Sequence, residues 1–245
     1  MTTEPSIGST YLHPKAPFMP FSPTNPPELV IFDNDGVLID SEILAGEANA
    51  QALAAFGVKM DAAEAMHRFI GLGPAGMTDS LLALGIDDVA AYGKAVWQAM
   101  GQKIKTELNA IDGAIDLIAA LKAAGIPVCV CSNADEQWLV TTHQQVGLSS
   151  VLNPLHYFHR DLVAHGKPAP DMHLLALDTF GIAADRALVI EDTTVGAQGA
   201  VSAGIEVWGF TGASGVPHSR DQELLDLGCQ KILASHQEIR ELIIN

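Results

Sequence analysis

Val30-Ile31-Phe32-Asp33-Asn34-Asp35-Gly36-Val37-Leu38-Ile39-Asp40-Ser41 sets two carboxylates, two residues apart, directly behind a short apolar run. The run Leu29 to Phe32 has the length and composition of a buried strand. In an extended backbone, residues i and i+2 project from the same side, so Asp33 and Asp35 would crowd each other unless the chain bends after Asp33. Gly36 permits a sharp turn there. Two like charges so close are unfavourable unless a cation neutralises them or one carries a proton. An Asp-rich turn closing an ordinary strand would look the same locally, so the remainder of the chain has to decide.

The chain has 245 residues, 48% of them hydrophobic, enough for one sizeable domain or for a core with a smaller inserted unit. Its formal net charge is −16 and its pI about 4.7. So acidic a surface argues against nucleic acid or an anionic membrane as partner, since both need basic patches. An anionic small molecule remains possible where a metal and a local Lys or Arg reverse the field. Cys129, Cys131 and Cys229 show no metal-ligand spacing and are expected to be buried thiols of a reducing, cytoplasmic compartment. Residues 1–27 are rich in proline but have neither a basic start nor a long apolar stretch. They are expected to be an N-terminal extension, mobile or laid over the surface, and not a signal or anchor.

From Glu42 the pattern changes. Residues 42–56 are rich in Ala, Leu and Glu and read as a helix stopped by Gly57, and further helical pieces cover 61–69, 75–84 and 87–107. No β-branched run interrupts residues 42–108, so the block is expected to be all-helical. An α/β rhythm then resumes: helix 113–124, strand 126–131, helix 135–146, a short strand within 153–158, and a helix from 171 to about 180. Strand 187–190, helix 196–203 and strand 205–210 follow, and 221–245 is helical around a short strand near 230–233. Alternating strands and helices imply a parallel sheet with helices on both faces, which binds ligands at the C-terminal strand ends.

Polar residues follow the apolar runs at four places: Asp33/Asp35, Ser132/Asn133, Lys167 after a loop, and Glu191/Asp192. Each has an ordinary reading. Ser132 could cap a helix, Lys167 could be a solvated loop residue, and Glu191-Asp192 could cap the helix near 194. A parallel sheet, however, can bring all four to one edge, and that convergence outweighs any single motif.

This series resembles the haloacid dehalogenase superfamily, and the helical block after the first motif resembles its small-cap branch of sugar-phosphate phosphatases and β-phosphoglucomutases. The likeness runs from about residue 28 onward. It implies an α/β fold with a Rossmann-like parallel core over 28–41 and 109–245, an inserted helical cap over 42–108, and a Mg²⁺ cofactor. It also implies roles that the chemistry of the side chains supports. Asp33 would be the nucleophile, forming an aspartyl-phosphate, and Asp35 the general acid and base. Asp33, the main-chain carbonyl of Asp35, and Glu191 or Asp192 would supply oxygens to Mg²⁺. Ser132 and Asn133 would hold phosphate oxygens at a strand-to-helix junction, and Lys167 would add positive charge.

Within that family Asp35 argues against dehalogenases and phosphonoacetaldehyde hydrolases, which lack the second Asp. The mutases carry a His near the start of the cap and an Arg in a cap loop. Residues 43–48 contain no His and 71–78 no Arg. The expectation is therefore a phosphatase acting on a small phosphorylated metabolite, a sugar phosphate or sugar-acid phosphate. A phosphosugar mutase is the alternative, and a non-catalytic binding module a more distant one. The glycine-rich break at 67–78 would face the site on closure. His67, Arg68 and Glu42 are the candidate substrate contacts.

Overall fold

The protein is described from a computed structural model, which covers residues 20–69, 72, 74–215 and 219–244. Most of the expected N-terminal extension (1–19), and Ile70, Gly71 and Gly73 of the glycine-rich break, lie outside the described residues.

Six strands form one parallel sheet: β1 (Leu29–Phe32), β2 (Val128–Ser132), β3 (Tyr157–His159), β4 (Ala187–Glu191), β5 (Glu206–Phe210) and β6 (Lys231–Leu233). Their spatial order is β3-β2-β1-β4-β5-β6. β1 is central, with β2 and β4 hydrogen-bonded on either side, so the chain reverses its direction of travel across the sheet at β1. That is the point at which open α/β sheets bind ligands.

Both faces of the sheet are buried, which explains why its strands are continuous apolar runs. Val30, Phe32, Val130, Leu188 and Ile190 face one cluster, with Leu117 and Leu121 of α5 (Ala114–Ala123) and Ile239 of α10 (His236–Ile243). Leu29, Ile31, Cys129, Cys131 and Val189 alternate onto the other. There they meet Met172 and Ala176 of α7 (Asp171–Phe180), Ala197 and Ala200 of α8 (Thr194–Ala203), and Leu224 of α9 (Arg220–Asp226). The three cysteines are free and buried.

Residues 42–108 hold four helices: α1 (Glu42–Ala55), α2 (Ala62–Phe69), α3 (Pro74–Ala83) and α4 (Val89–Thr106), with no strand among the described residues. They carry their own small core of Leu53, Phe69, Leu81, Ile86 and Tyr92. Gly46 lets α1 and α2 cross closely, since a Cβ there would press on the carbonyl of Ala62 and on Met66 Cβ. Two strands of chain join this layer to the sheet, and Asp40 N–H donates to Asn109 O at 3.0 Å between them.

Two boundaries shift from expectation for identifiable reasons. β2 begins at Val128, because Pro127 has no N–H for the ladder, and it runs on through Ser132, which pairs with His159. α8 begins at Thr194, since Thr193 accepts from Gly196 N–H and caps it. Residues 20–27 lie against the core: Phe21 is buried, and Arg186 donates to Asn25 Oδ1 and Pro26 O.

Candidate active site

Asp33 follows β1, Ser132 ends β2 and Glu191 ends β4, so three adjacent strands deliver three of the expected residues to one edge. Gly36 makes the turn after Asp33 with φ +79°, and a Cβ there would collide with the Asp192 carboxylate. Lys167 arrives by a loop and is buried. Its Nζ donates to Asp33 Oδ1 at 2.6 Å and to Glu191 Oε2 at 2.7 Å. Asn133 fixes that loop: its Oδ1 accepts from Lys167 N–H at 2.8 Å and its Nδ2 donates to Lys167 O at 2.9 Å. Ser132 Oγ accepts from Ala134 N–H at 3.0 Å, leaving its own hydroxyl proton uncommitted. The helix after β2, α6 (Glu136–Val146), is capped by Asp135 and not by Ser132.

The charge balance is uneven. Carboxylate oxygens of Asp33, Glu191 and Asp192 lie within 4.8 Å of one another, against the single ammonium of Lys167. Burial pulls the Lys167 pKa down, but Asp33 and Glu191 outweigh it and hold the ammonium above its ordinary value. Asp33 is pushed up by burial and then by Glu191, against the pull of Lys167. Asp192 is pushed up by burial, Glu191 and Asp33. Arg220 pulls Asp192 down, but Lys167 and Arg220 together are outnumbered by Asp33, Glu191, Asp192 and the adjoining Glu42. Glu191 is fully engaged, since Oε1 accepts from Thr193 N–H and Oγ1 while Oε2 accepts from Lys167. Asp192 Oδ1 is buried with no hydrogen-bond partner among the described residues. An orphaned carboxylate oxygen beside an undercompensated acidic cluster fits a hard divalent cation.

Asp35 is half-buried and held by three donors. Ser41 Oγ donates to its Oδ1 at 2.7 Å, Asn34 Nδ2 to its Oδ2 at 3.0 Å, and Trp138 Nε1 reaches both oxygens at 3.1 and 3.2 Å. Burial raises its pKa against the pull of those three bonds. Asn34 is itself held from behind. Its NH₂ faces Asp35, so its Oδ1 accepts from His143 Nε2 at 2.7 Å, and His143 Nδ1 then accepts from Tyr157 OH at 2.6 Å. Burial lowers the His143 pKa to about 4, which keeps the ring neutral as this pattern requires.

Glu42, at the start of α1, lines the small pocket of about 140 Å³ that contains Asp33, Asp35, Ser132 and Lys167. It also lines an adjoining cavity of about 320 Å³ under the four helices. Burial raises its pKa to about 7, helped by Asp35 and opposed by Arg220. His67 and Arg68 are exposed on α2 and line neither space; Arg68 Nη2 donates to Ser80 O at 3.3 Å and ties α2 to α3. The structure thus gathers Asp33, Asp35, Ser132, Asn133, Lys167, Glu191, Asp192 and Glu42, and leaves His67 and Arg68 outside.

Four participants have no counterpart in the sequence reading. Trp138 reaches Asp35, His143 holds Asn34, Thr193 holds Glu191, and buried Arg220 donates from Nη1 to Asp192 O at 3.1 Å. Asn34, a polar residue between the two aspartates, is a fifth.

The fold and its strand-end cluster define an α/β enzyme of Rossmann-like architecture. The family model described as haloacid dehalogenase-like hydrolase matches residues 27–204, and the chain belongs to that family. It is 30% identical over 190 residues to the 6-phosphogluconate phosphatase of Escherichia coli K12, covering 75% of this chain and 82% of that protein. It is 28% identical over 182 residues to a phosphorylated carbohydrates phosphatase of Thermotoga maritima, covering 73% and 82%. A solved HAD family hydrolase from Deinococcus radiodurans R1, with bound phosphate and sodium, superposes with a TM-score of 0.73 at 31% identity. That match covers 88% of this chain and 94% of the other. No described helix is long and apolar enough to cross a membrane.

Proposed function

We propose that this hydrolase is a Mg²⁺-dependent phosphatase that cleaves a small phosphorylated metabolite through an aspartyl-phosphate on Asp33. The observation that carries the reading is Lys167 set between Asp33 and Glu191, with Asp35 on the neighbouring wall of the same pocket. The names of the relatives supply phosphorylated sugars and sugar acids as the first substrates to try.

Asp33 would attack phosphorus as the ester P–O bond breaks, and Asp35 would deliver a proton to the departing alkoxide. Asp35, now ionised, would take a proton from water as that water attacks phosphorus, which releases phosphate and restores Asp33. Three donors fix the Asp35 carboxylate for both transfers, and its raised pKa favours the protonated form the first step needs. Lys167 has a third N–H, and Ser132 a hydroxyl, to direct at phosphoryl oxygens. Asn133 acts by holding the Lys167 backbone. Mg²⁺, held by Asp33, Asp192 and the main-chain carbonyl of Asp35, would neutralise phosphoryl charge. Glu191 then serves as the strut for Lys167.

Hydrolysis is favoured over a mutase reaction. Moving a phosphoryl group about a sugar requires a grip on a second phosphate, and no Lys, Arg or His lines the 320 Å³ cavity among the described residues. The test is inorganic phosphate release from a panel of phosphate esters with Mg²⁺ and with chelator. Wild type should turn over only with Mg²⁺, and Asp33→Asn should be inactive while retaining the native circular dichroism spectrum. Equal turnover by the two proteins would sink the mechanism.

A further inference from the structure

The cavity next to the phosphate end is mostly apolar. Its wall is formed by Met66 and Phe69 of α2, Met77 of α3, Trp97 and Met100 of α4, and Trp138 of α6. Trp97 and Trp138 stand 5.8 Å apart between ring centroids, tilted by 58°, and the Trp138 indole N–H reaches Asp35. A group bonded to a phosphoryl oxygen beside Asp35 would therefore meet these rings first.

The polar side chains in this wall are nearly all committed. Asn49 Nδ2 donates to Ala45 O and its Oδ1 accepts from Tyr92 OH, both at 2.7 Å. Ser41 donates to Asp35. Glu42 and the Trp97 indole N–H have no hydrogen-bond partner among the described residues, and Glu42 stands where cavity and phosphate pocket meet. The charged groups in the lining are the carboxyls of Asp35 and Glu42, with no cation among the described residues. An anionic leaving group would face like charge with no counter-ion. A polyol would bury the hydroxyls that Glu42 and Trp97 cannot reach against methionine and aromatic carbon, which is unfavourable.

We propose that the cavity selects the leaving group, and that it takes an uncharged alcohol with an apolar, ring-sized body and one hydroxyl within reach of Glu42. The proposal rests on the phosphatase reading above and narrows it. It places sugar-acid phosphates and bisphosphates, whose second charge has no partner here, behind esters with an apolar face. A volume of about 320 Å³ suits a single ring and its substituents.

Gly93 offers a clean probe. It lies on α4 in the cavity wall, and a Cβ built on it meets nothing within 4 Å. Leucine there fills open space, in a helix that favours it over glycine. The experiment compares kcat/KM for 2-phenylethyl phosphate, glucose 6-phosphate, 6-phosphogluconate and acetyl phosphate, in wild type and Gly93→Leu. Wild type should prefer 2-phenylethyl phosphate to 6-phosphogluconate by at least about tenfold, the scale on which hydrophobic pockets discriminate. Gly93→Leu should lose at least about tenfold more on 2-phenylethyl phosphate than on acetyl phosphate, whose acyl group is too small to need the cavity. A wild-type preference for 6-phosphogluconate, or an equal loss on 2-phenylethyl phosphate and acetyl phosphate in the variant, overturns the cavity assignment. Failure to release phosphate from any of the four compounds would instead overturn the phosphatase reading itself.

Discussion

The pocket at the strand ends and the cavity beneath the helices share Asp35 and Glu42, but their walls hold position by different means. At the strand ends nearly every polar atom has a defined partner. Lys167 is gripped by two carboxylates and by the Asn133 amide, Glu191 by Thr193, and Asp35 by three donors. Under the helices, shape and apolar area dominate, with Met66, Met77 and Met100 as adaptable filler. Directed bonds suit a reaction whose charge develops at one fixed point. An apolar wall can be remodelled by single side-chain changes without disturbing that point. Damage at the strand ends should therefore affect all esters alike, and damage in the cavity should sort them.

The largest expected effect is at Asp33. Asp33→Asn should lower kcat by at least about 1,000-fold on every ester, since an amide is a poor nucleophile and nothing else lies in its position. Rapid-quench assays should show no burst of the leaving alcohol. Loss on some esters but not others would mean that the nucleophile lies elsewhere. Next is Lys167→Met, which removes the ammonium that bridges Asp33 and Glu191. It should reduce kcat by about 100-fold or more, uniformly across leaving groups. Mg²⁺ activation measured in the same assay should remain, because lysine is not among the proposed ligands.

His143 should blur the boundary between the two regions in a measurable way. His143→Leu leaves Asn34 Oδ1 and Tyr157 OH without their partner and frees the amide that orients Asp35. The expected loss in kcat is roughly tenfold on an alkyl phosphate, the worth of about one lost hydrogen bond to the acid. On p-nitrophenyl phosphate, whose leaving group hardly needs a proton, it should be much smaller. His143→Gln, which can still donate to Asn34, should recover part of the alkyl activity. Equal losses on both esters would reduce the relay to ordinary core packing.

The two regions also differed in how legible they were in the sequence. Asp33, Asp35, Ser132, Lys167, Glu191 and Asp192 sit at ends of apolar runs, and a parallel sheet turns that linear position into a shared edge. β-branched strands buried on both faces and Gly-terminated helices made the order of elements readable for the same reason: the signals are local. Trp138 and His143 carry no local signal, because their partners lie 103 and 109 residues away and on a different element. His67 and Arg68 looked suitable beside a glycine-rich break, but rotation along α2 directs Met66 and Phe69 to the cavity and leaves those two exposed. Charge type alone could not reveal which face of a short helix turns inward.

The smallest effect is one of stability, and its sign separates the buried histidine from the buried acids. His143 has a folded pKa of about 4 and His173 one of about 3, both lowered by burial, against the ordinary 6.5. Between those values the unfolded chain binds protons that the folded chain refuses, so the histidine contribution is present above about pH 6.5 and is lost as pH falls through the folded value. Asp33, Asp192 and Glu42 are raised, and act oppositely: the folded chain holds their protons longer, a contribution present at low pH and lost as pH rises. A bare pH–Tm curve mixes the two, so the informative quantity is the Tm gap between wild type and His143→Leu. At pH 7.5 the variant should melt lower, because it strands Asn34 and Tyr157. Towards pH 4.5 the gap should narrow by several degrees, as wild type alone meets the cost of protonating His143, on the order of 3 kcal/mol over the full shift. The carboxylates are common to both proteins and cancel in the difference. A gap that stays constant from pH 7.5 to 4.5 would mean that the ring is charged or solvated in the fold, and the neutral donor–acceptor pattern linking Tyr157 to Asp35 would fail with it.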